Sequence, residues 1–361
     1  IQHKKEHNLH CDIKEGERVF YFSTCGWMMW NWLISGLASG ATLMLYDGSP
    51  VLKNNENILF DYADQEKFNI MGISAKFLDT CRKLELNPMN SHNLSSLRMM
   101  LSTGSVLNSE CFDYVYEKIK RSVCLSSISG GTDIVSCFVL GSNILPVYRG
   151  ELQTRGLGMS VEVWDELGSP VNGRKGELVC TKTFPSKPVM FWDDKAMKKY
   201  SNSYFKRYPN IWHHGDYVKL LDNGGMVFYG RSDTTLNRGG VRIGTAEIYR
   251  QVEVLEEVFE SIVVEQNWDD DSRIILFVRL KEAIHLTDDL KEKITKQIRE
   301  NTSPRHVPDL IIQVSDIPRT KSGKIVEIAV QKAIHGLPIE NKSALENPQV
   351  LDEYHHHKEL Q

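Results

Sequence analysis

The chain has 361 residues, a formal net charge of −4 and a sequence pI near 6.3. This length allows two or more domains with sizeable hydrophobic cores, and the charge gives no electrostatic argument for a nucleic-acid partner. The seven cysteines are odd in number and scattered. They do not form the pattern of a disulfide framework, so we expect a reducing, cytosolic compartment.

Residues 1–145 alternate strand-like and helix-like runs, which predicts an α/β subdomain with a mainly parallel sheet. The predicted strands are Val19–Phe22, Thr42–Tyr46, Ile70–Ile73, Met99–Ser102 and Leu125–Ile128. Helices are predicted over Trp27–Ala38 and Asn108–Lys120. The segment Phe20–Tyr46 has no charged residue and is long enough to span a bilayer. Its polar residues and its division into strand, helix and strand favour a buried βαβ unit instead of membrane insertion.

From about residue 150 the pattern changes to short strands with turn residues, which predicts a small β-rich subdomain. Its predicted strands are Ser160–Trp164, Gly176–Lys182, Tyr217–Leu221 and Met226–Tyr229. A separate α+β C-terminal domain should follow, with strands Ser261–Glu265, Ile274–Leu280 and Leu310–Val314 and a helix from about Asp288 to Glu300. The predicted divisions are residues 1–150, 151–231 and 232–361, with the domain boundary at Arg231–Asp233.

Two basic, glycine-containing loops predict a polyphosphate site. Residues 229–248 read YGRSDTTLNRGGVRIGTAEI, and residues 317–325 read IPRTKSGKI. Arginine presents a planar fork of donors to phosphate oxygens, and lysine presents a point charge on a flexible stem. Glycine lets the backbone approach a ligand closely. We therefore expect the two loops to act together as a movable clamp on a polyphosphate.

These loops resemble the hinge motif and the C-terminal lysine loop of the adenylate-forming superfamily, which includes acyl-CoA synthetases, luciferases and peptide-synthetase adenylation domains. Residues 26–32 (GWMMWNW), 46–50 (YDGSP) and 129–134 (SGGTDI) are similar to the members that activate acetoacetate. The resemblance covers the chain from its start to the tail near residue 354. It implies a ligase that joins acetoacetate to CoA through an acyl-adenylate, with ATP and CoA as co-substrates and Mg²⁺ as cofactor.

The resemblance assigns nucleotide contacts throughout the chain. The implied nucleotide-binding residues are Gly104, Ser105, Val106, Gly131, Thr132, Asp216, Arg231 and Arg242. Asp216 would accept hydrogen bonds from the ribose hydroxyls, since both carboxylate oxygens are acceptors. Asp133 would hold Mg²⁺, a hard cation that prefers carboxylate oxygen. Most superfamily members have Glu at that position, so the metal contact is expected to be longer or water-mediated.

The resemblance also implies the catalytic residues, which are Lys324, Arg242, Thr132 and Asp133. Lys324 would offset charge on the transferring phosphoryl group during adenylation. Asp233 would be the hinge, and Gly239, Gly240 and Arg299 would contact CoA. Arg238 and Lys321 have no counterpart in the motifs and are expected to be solvated surface residues.

The implied acyl pocket consists of Met28, Met29, Thr103 and Gly130. Acetyl-CoA synthetases carry tryptophan where this chain has Gly130. A wider pocket for a β-keto acid is therefore expected, and Gly130→Trp should shift selectivity towards acetate. The neighbouring tryptophans of residues 27–32 are expected to pack in the core.

Several alternatives remain at this stage. His3, His7, His10 and Cys11 could form a zinc site, although an amphipathic helix followed by a loop is the preferred interpretation. The superfamily's phosphate loop should precede a segment like residues 1–11, so we expect the chain to be a truncated part without ligase activity of its own. It could instead be a module that only binds a nucleotide, CoA or a partner, or belong to another short-chain acyl-CoA synthetase.

Overall fold

The structure is a computed structural model. It describes residues 1–238, 241–268, 271–321, 323–339, 342–355 and 357–360. The chain forms two compact units, Ile1–Phe228 and Tyr229–Gln361. Each unit has its own hydrophobic core.

A five-stranded parallel sheet organises the first unit, with the spatial order β2–β1–β3–β4–β5. Its strands are β1 (Arg18–Tyr21), β2 (Thr42–Met44), β3 (Ile70–Ser74), β4 (Met99–Thr103) and β5 (Cys124–Ser127). Phe20 packs in one hydrophobic cluster while Val19 and Tyr21 pack in another, because successive side chains of a strand point to opposite faces. Both faces are therefore covered, which accounts for the nearly unbroken apolar runs. The predicted parallel sheet is confirmed.

Helices precede and connect these strands. They are α1 (Gln2–Lys5), α2 (Met28–Ile34), α3 (Ile58–Gln65), α4 (Ala75–Lys83), α5 (Pro88–Ser91) and α6 (Ser109–Tyr114). The helix predicted over Trp27–Ala38 is found as α2 followed by a 3₁₀ turn, which ends at Gly40 in a left-handed conformation with a φ of 75°. The helix predicted over Asn108–Lys120 is α6 continued by a π-helical turn, Val115–Ile119. Within the described residues, we find no helix with the length and apolar character required to cross a membrane.

Two antiparallel sheets complete this part of the chain. One contains β6 (Ser129–Gly131), β7 (Ser136–Leu140) and β8 (Thr154–Arg155), and the other contains β9 (Val161–Trp164), β10 (Lys175–Cys180), β11 (Trp212–Leu220) and β12 (Met226–Arg231). The helix α7 (Lys198–Tyr204) lies before β11. Only Ile128 separates β5 from β6. Antiparallel pairing therefore begins at Ser129, before residue 151, where the β-rich subdomain was predicted to start.

The second unit is an α+β layer, as predicted. Its elements are β13 (Leu236–Arg238), β14 (Val241–Ile243), α8 (Thr245–Val252), β15 (Val258–Trp268), β16 (Asp271–Leu280), α9 (Asp288–Asn301), β17 (Leu310–Gln313), α10 (Glu327–Ile334) and α11 (Leu351–His355). In β15, Val263 packs with the core on the side of α8 and α9, whereas Ile262 and Val264 pack with α10 and α11. The sheet β15–β16–β17 is therefore covered on both faces.

Candidate active site

The loop after β4 carries the first group of predicted nucleotide contacts. Gly104, Ser105 and Val106 follow the strand directly, and Gly104 has a φ of +101°, which a side chain would strain. Thr103 Oγ1 donates a hydrogen bond to the carbonyl oxygen of Ile128 at 2.8 Å, which ties this edge to the start of β6. Ligands of open α/β sheets bind outside the carboxyl ends of the strands, so the loop is in a suitable place.

The hairpin formed by β6 and β7 carries Thr132 and Asp133 in its turn, where both side chains are exposed. The hydroxyl of Tyr204 donates a hydrogen bond to Asp133 Oδ2. Val135, also in the turn, has a φ of +47°, which is an uncommon and costly conformation for a β-branched residue. The hairpin turn therefore needs support from its surroundings.

A buried polar cluster in the N-terminal segment supplies that support. The carboxylate of Glu6 is fully buried and accepts hydrogen bonds from Trp32 Nε1 at 3.0 Å and Ser136 Oγ at 2.5 Å. His3 Nε2 is hydrogen-bonded to the carbonyl oxygen of Val135. Glu6 gives no signal of this role in the sequence, because a glutamate beside lysine and histidine in a short helix looks like a surface residue.

The candidate zinc residues serve this packing instead of converging on one point. His10 Nδ1 is 2.8 Å from the carbonyl oxygen of Gly141, and its Nε2 accepts a hydrogen bond from the amide of Leu157 at 3.0 Å. Cys11 is buried in the core. In the part of the chain that the structure describes, no group of three or more His, Cys, Asp or Glu side chains is arranged to hold a metal ion.

Gly130 makes a close backbone contact across the hairpin. A Cβ atom added to it would lie 1.9 Å from the carbonyl oxygen of Ser136 and 2.6 Å from Cys137 Cα. Real Cβ atoms do not approach backbone atoms so closely, so a side chain here points into β7 and not into open space. An indole at this position would therefore require β7 to move, and the expected shift in acyl selectivity stays a prediction.

The two methionines of the predicted acyl pocket differ in burial. Met29 is only 2% exposed and belongs to the core cluster that also contains Trp32 and Leu33. Met28 is half-buried and packs against the edge of that cluster. Met29 is thus a core residue in this structure, because its position on α2 faces the sheet, while Met28 keeps accessible surface.

Asp216, the predicted ribose contact, lies in β11 and is 7% exposed. Its Oδ2 accepts a hydrogen bond from Ser129 Oγ at 3.4 Å and lies 3.6 Å from His214 Nε2. The structure therefore brings this carboxylate to the first residue of β6. The hairpin that carries Asp133 and the strand that carries Asp216 are directly connected.

His214 connects β11 to β6, a role for which the sequence gives no signal. Trp212 Nε1 donates a hydrogen bond to His214 Nδ1 at 3.4 Å, and His214 Nε2 lies 2.9 Å from the carbonyl oxygen of Gly130. Since Nδ1 accepts a hydrogen bond, it carries no proton, and this pattern assigns the neutral tautomer with hydrogen on Nε2. His214 thereby holds the Gly130 backbone from the same strand that carries Asp216.

In the second unit, Arg231 ends β12 and Asp233 lies in the following 3₁₀ turn, with Arg231 Nε 3.6 Å from Asp233 Oδ1. Arg242 lies in β14, and one of its guanidinium nitrogens donates a hydrogen bond to Thr235 Oγ1 at 3.2 Å. The side chain of Arg242 is thus directed across its own hairpin in this structure. The hinge role of Asp233 stays a prediction.

Lys324 is half-buried, and its amide donates a hydrogen bond to Thr320 Oγ1 at 3.1 Å. Lys321 in the same loop is exposed, as is Arg299 in the last turn of α9. Gly239 and Gly240, the predicted strip along CoA, lie outside the described residues.

Arg238 is not the freely solvated residue that the sequence analysis expected. It donates hydrogen bonds to the carbonyl oxygen of Val307 and to Asp309 Oδ1, the latter at 2.5 Å. Ion pairing with a residue about seventy positions away is invisible in a local motif. Arg238 therefore ties β13 to the segment before β17.

Glu327, three residues after Lys324, was also missed. Tyr249 donates a hydrogen bond to Glu327 Oε1 at 3.1 Å, and Thr245 donates another at 3.5 Å. Burial raises the pKa of the Glu327 carboxyl. A perturbed carboxyl group next to a candidate catalytic lysine is typical of functional sites, although structural networks produce the same shift.

The chain is similar to known AMP-binding enzymes. The family described as AMP-binding enzyme matches residues 2–186, and its C-terminal domain matches residues 252–324. Acetoacetyl-coenzyme A synthetase of Rhizobium meliloti (strain 1021) is 59% identical over 98% of this chain and 54% of its own length. Acetoacetyl-CoA synthetase of Gallus gallus is 48% identical over 100% of this chain and 54% of its own length. The chain therefore spans about half the length of these curated relatives.

Solved structures give the same result. Acetoacetyl-CoA synthetase from Streptomyces lividans superposes with a TM-score of 0.91 at 40% identity, over 98% of this chain and 55% of that one. A benzoate CoA ligase from Burkholderia xenovorans LB400 shares the fold, with a TM-score of 0.74 at 22% identity over 91% of this chain and 64% of that one. Because the family match extends over half of the sequence and the fold agrees, this chain belongs to the AMP-binding enzyme family.

Proposed function

We propose that the complete polypeptide containing this chain is an AMP-forming acetoacetate–CoA ligase. The observation that carries the proposal is the connection of Asp133, Gly130 and Asp216 around one hairpin. Ser129 and Asp216 are joined by a 3.4 Å hydrogen bond, and His214 contacts the Gly130 carbonyl. A ribose-binding carboxylate and a metal-binding carboxylate on connected elements suit a nucleoside triphosphate. The names of the relatives support acetoacetate as the acid.

In the first half-reaction, a carboxylate oxygen of acetoacetate attacks the α-phosphorus of ATP, and the bond to pyrophosphate breaks. The product is acetoacetyl-AMP. Asp216 holds the ribose, and the Thr132 hydroxyl donates a hydrogen bond to a phosphate oxygen. Lys324 and Arg242 supply positive charge that offsets charge developing on the transferring phosphoryl group.

The residues present offer two side chains with oxygen atoms that suit Mg²⁺. Thr132 and Asp133 offer exposed hard oxygen atoms, and one carboxylate together with substrate phosphates and water is the usual arrangement for Mg²⁺ in nucleotide sites. Bound there, the ion would neutralise charge on the phosphates. We therefore propose that Asp133 binds Mg²⁺ that arrives with ATP.

In the second half-reaction, the CoA sulfur attacks the acyl carbonyl carbon, the bond to the AMP oxygen breaks, and the thiol proton leaves to solvent. The products are acetoacetyl-CoA and AMP. Arg299 is exposed at the end of α9, and it remains a proposed contact of a CoA phosphate. Gly239 and Gly240 remain proposed contacts of pantetheine.

The proposal is tested by incubating the complete polypeptide of the reading frame with MgATP and acetoacetate, acetate or propionate. Pyrophosphate release and mass spectrometry of the CoA thioester report the two half-reactions. Acetoacetate should give the highest kcat/KM. Preference for acetate or propionate would overturn the substrate assignment. Binding of ATP and CoA without adenylate formation would favour the alternative of a binding module, and the 361-residue chain should be assayed beside it.

Lys324→Ala should reduce adenylation to a small residual rate and leave thioester formation from supplied acetoacetyl-AMP unchanged. Removal of one electrostatic stabiliser of a developing charge typically lowers the rate by about 10²–10³-fold. Single-turnover assays of each half-reaction measure this. Lys321→Ala, in the same loop and exposed, is the matched control and should change neither step. An equal loss in both half-reactions would show that Lys324 does not act on adenylation specifically.

A further inference from the structure

We propose that Tyr204 is a positioning residue for the Asp133 carboxylate and thereby sets the affinity of the ATP-bound chain for Mg²⁺. This inference rests on the proposed function, in which Asp133 binds the metal. Nothing in the motifs pointed to Tyr204, which lies 71 residues after Asp133 at the end of α7. The two side chains meet only in the folded chain.

The hydrogen bond between these residues has a defined direction. The Tyr204 hydroxyl donates to Asp133 Oδ2. An ionised carboxylate has two acceptor oxygens, so Oδ1 remains for a cation while the phenol holds the other oxygen. Asp is one methylene shorter than the Glu of most superfamily members. With less reach, the orientation of this carboxylate decides whether it meets a metal.

The aromatic ring of Tyr204 is itself held in place. It stacks on Trp212 with ring centroids 3.7 Å apart and an angle of 15° between the planes, and it contacts the edges of Phe191 and Tyr200. Trp212 is only 2% exposed. Tyr204 is half-buried and packs against the edge of the hydrophobic cluster that contains Trp212. Because a tyrosine side chain has only two rotatable side-chain bonds, these ring contacts restrict the position of its hydroxyl.

The same tryptophan supports the other end of the hairpin. Trp212 Nε1 donates to His214 Nδ1, and His214 Nε2 donates to the carbonyl oxygen of Gly130. One aromatic stack therefore holds both the turn of β6–β7, through Asp133, and its first strand, through Gly130. Groups that hydrogen-bond to a metal ligand fix its orientation, and their loss typically costs about 10–100-fold in metal affinity.

Tyr204→Phe and Tyr200→Phe form a matched pair for the test. In the described part of the chain, the buried hydroxyl of Tyr200 has no hydrogen-bond partner, so its removal should be neutral. ATP binding to the complete polypeptide is measured by isothermal titration calorimetry, in EDTA and over a range of Mg²⁺ concentrations. Tyr204→Phe should raise, by about 10-fold, the Mg²⁺ concentration that gives half-maximal enhancement of ATP binding. It should leave the ATP affinity in EDTA unchanged. Tyr200→Phe should match the unsubstituted protein.

Asp133→Asn and the double variant Tyr204→Phe/Asp133→Asn complete a double-mutant cycle. If Tyr204 acts through Asp133, the double variant loses no more Mg²⁺ enhancement than Asp133→Asn alone. Additive losses, an unchanged Mg²⁺ response in Tyr204→Phe, an equal loss in Tyr200→Phe, or the absence of any Mg²⁺ effect in the unsubstituted protein would each overturn the inference. Acyl-adenylate formation is measured separately. A Tyr204-dependent Mg²⁺ response without adenylate from acetoacetate would refute the proposed reaction and leave this inference standing.

Discussion

His7 lies fully buried in the N-terminal segment, against the ring of Trp32 at a centroid distance of 4.3 Å. Burial, and to a smaller extent the neighbouring His3, lowers the pKa of His7 from 6.5 to about 4. The neutral ring is therefore required in the folded chain, whereas an unfolded chain binds a proton below pH 6.5. His7 packs against the same tryptophan that donates a hydrogen bond to Glu6, so its protonation bears on the support of the β6–β7 hairpin.

Stability of the first unit should fall between pH 6.5 and 4 because of His7. A histidine whose pKa is lower in the folded state than in the unfolded state does not destabilise the fold at a pH above its unfolded-state pKa. Its destabilising contribution to the free energy of unfolding grows as the pH falls towards its folded-state pKa. The full shift corresponds to about 3 kcal/mol in the free energy of unfolding. Urea unfolding followed by tryptophan fluorescence at pH 7, 6 and 5 measures it.

His7→Gln should flatten this pH dependence, because the substituted side chain does not titrate. His285→Gln, at an exposed position, should keep the slope of the unsubstituted chain. His10 also has a lowered pKa through burial and supplies a remaining slope in His7→Gln. An identical pH dependence in His7→Gln and the unsubstituted chain would contradict the assignment to His7.

The β6–β7 hairpin is the element on which the candidate site depends most. Its strained turn residue Val135, its close backbone contact at Gly130 and its exposed Thr132 and Asp133 lie within seven residues. Contacts from α1, α7 and β11 converge on it. A strained turn persists only where the surrounding structure holds it, which these contacts do.

Gly130→Ala should destabilise the first unit by about 3 kcal/mol, because β6 and β7 must separate to admit the added methyl group. Equilibrium urea unfolding measures the loss. Gly26→Ala is the control, since a Cβ there meets nothing nearer than Thr24 Oγ1 at 3.9 Å, and it should stay within about 0.5 kcal/mol. If Gly130→Ala were as stable as Gly26→Ala, the close contact across the hairpin would be refuted.

The motif of the hairpin can be found in the sequence alone. The sequence does not show why position 130 is a glycine. SGGTDI is a local string, and its resemblance to a known core motif needs no tertiary information. The direction of a Cβ at Gly130 depends on the register between β6 and β7, which is irregular between Ser129 and Gly130. A register shift changes which way a side chain points, so the size of a side chain at position 130 does not by itself predict which space it would occupy.

At the scale of the whole molecule, the chain divides into two units with separate cores. The sheet of the second unit is covered on one face by α8 and α9 and on the other by α10 and α11. Buried side chains on both faces give this unit the means to fold without the rest of the chain.

A chain that begins at Tyr229 should therefore fold on its own. Thermal unfolding followed by circular dichroism should be cooperative, and the native unit should not bind a hydrophobic dye. Phe277→Ala serves as the comparison, because Phe277 is fully buried against Tyr354 at a centroid distance of 4.7 Å. It should lower the free energy of unfolding by about 3–5 kcal/mol. A non-cooperative transition in the unsubstituted unit would show that its core depends on the first unit.

The sequence by itself determined the parallel sheet, the α+β second unit and the family. Strands buried on both faces appear as unbroken apolar runs, and the two basic loops are local strings with a distinctive order. The tertiary structure decided the burial of Glu6 and Met29, the pairing of Arg238 with Asp309, and the hydrogen bond from Tyr204 to Asp133. Each of these joins residues far apart in sequence, or depends on which way a side chain points within a packed layer. Periodicity and motifs carry no information on such contacts, because packing between elements selects them only when the chain folds.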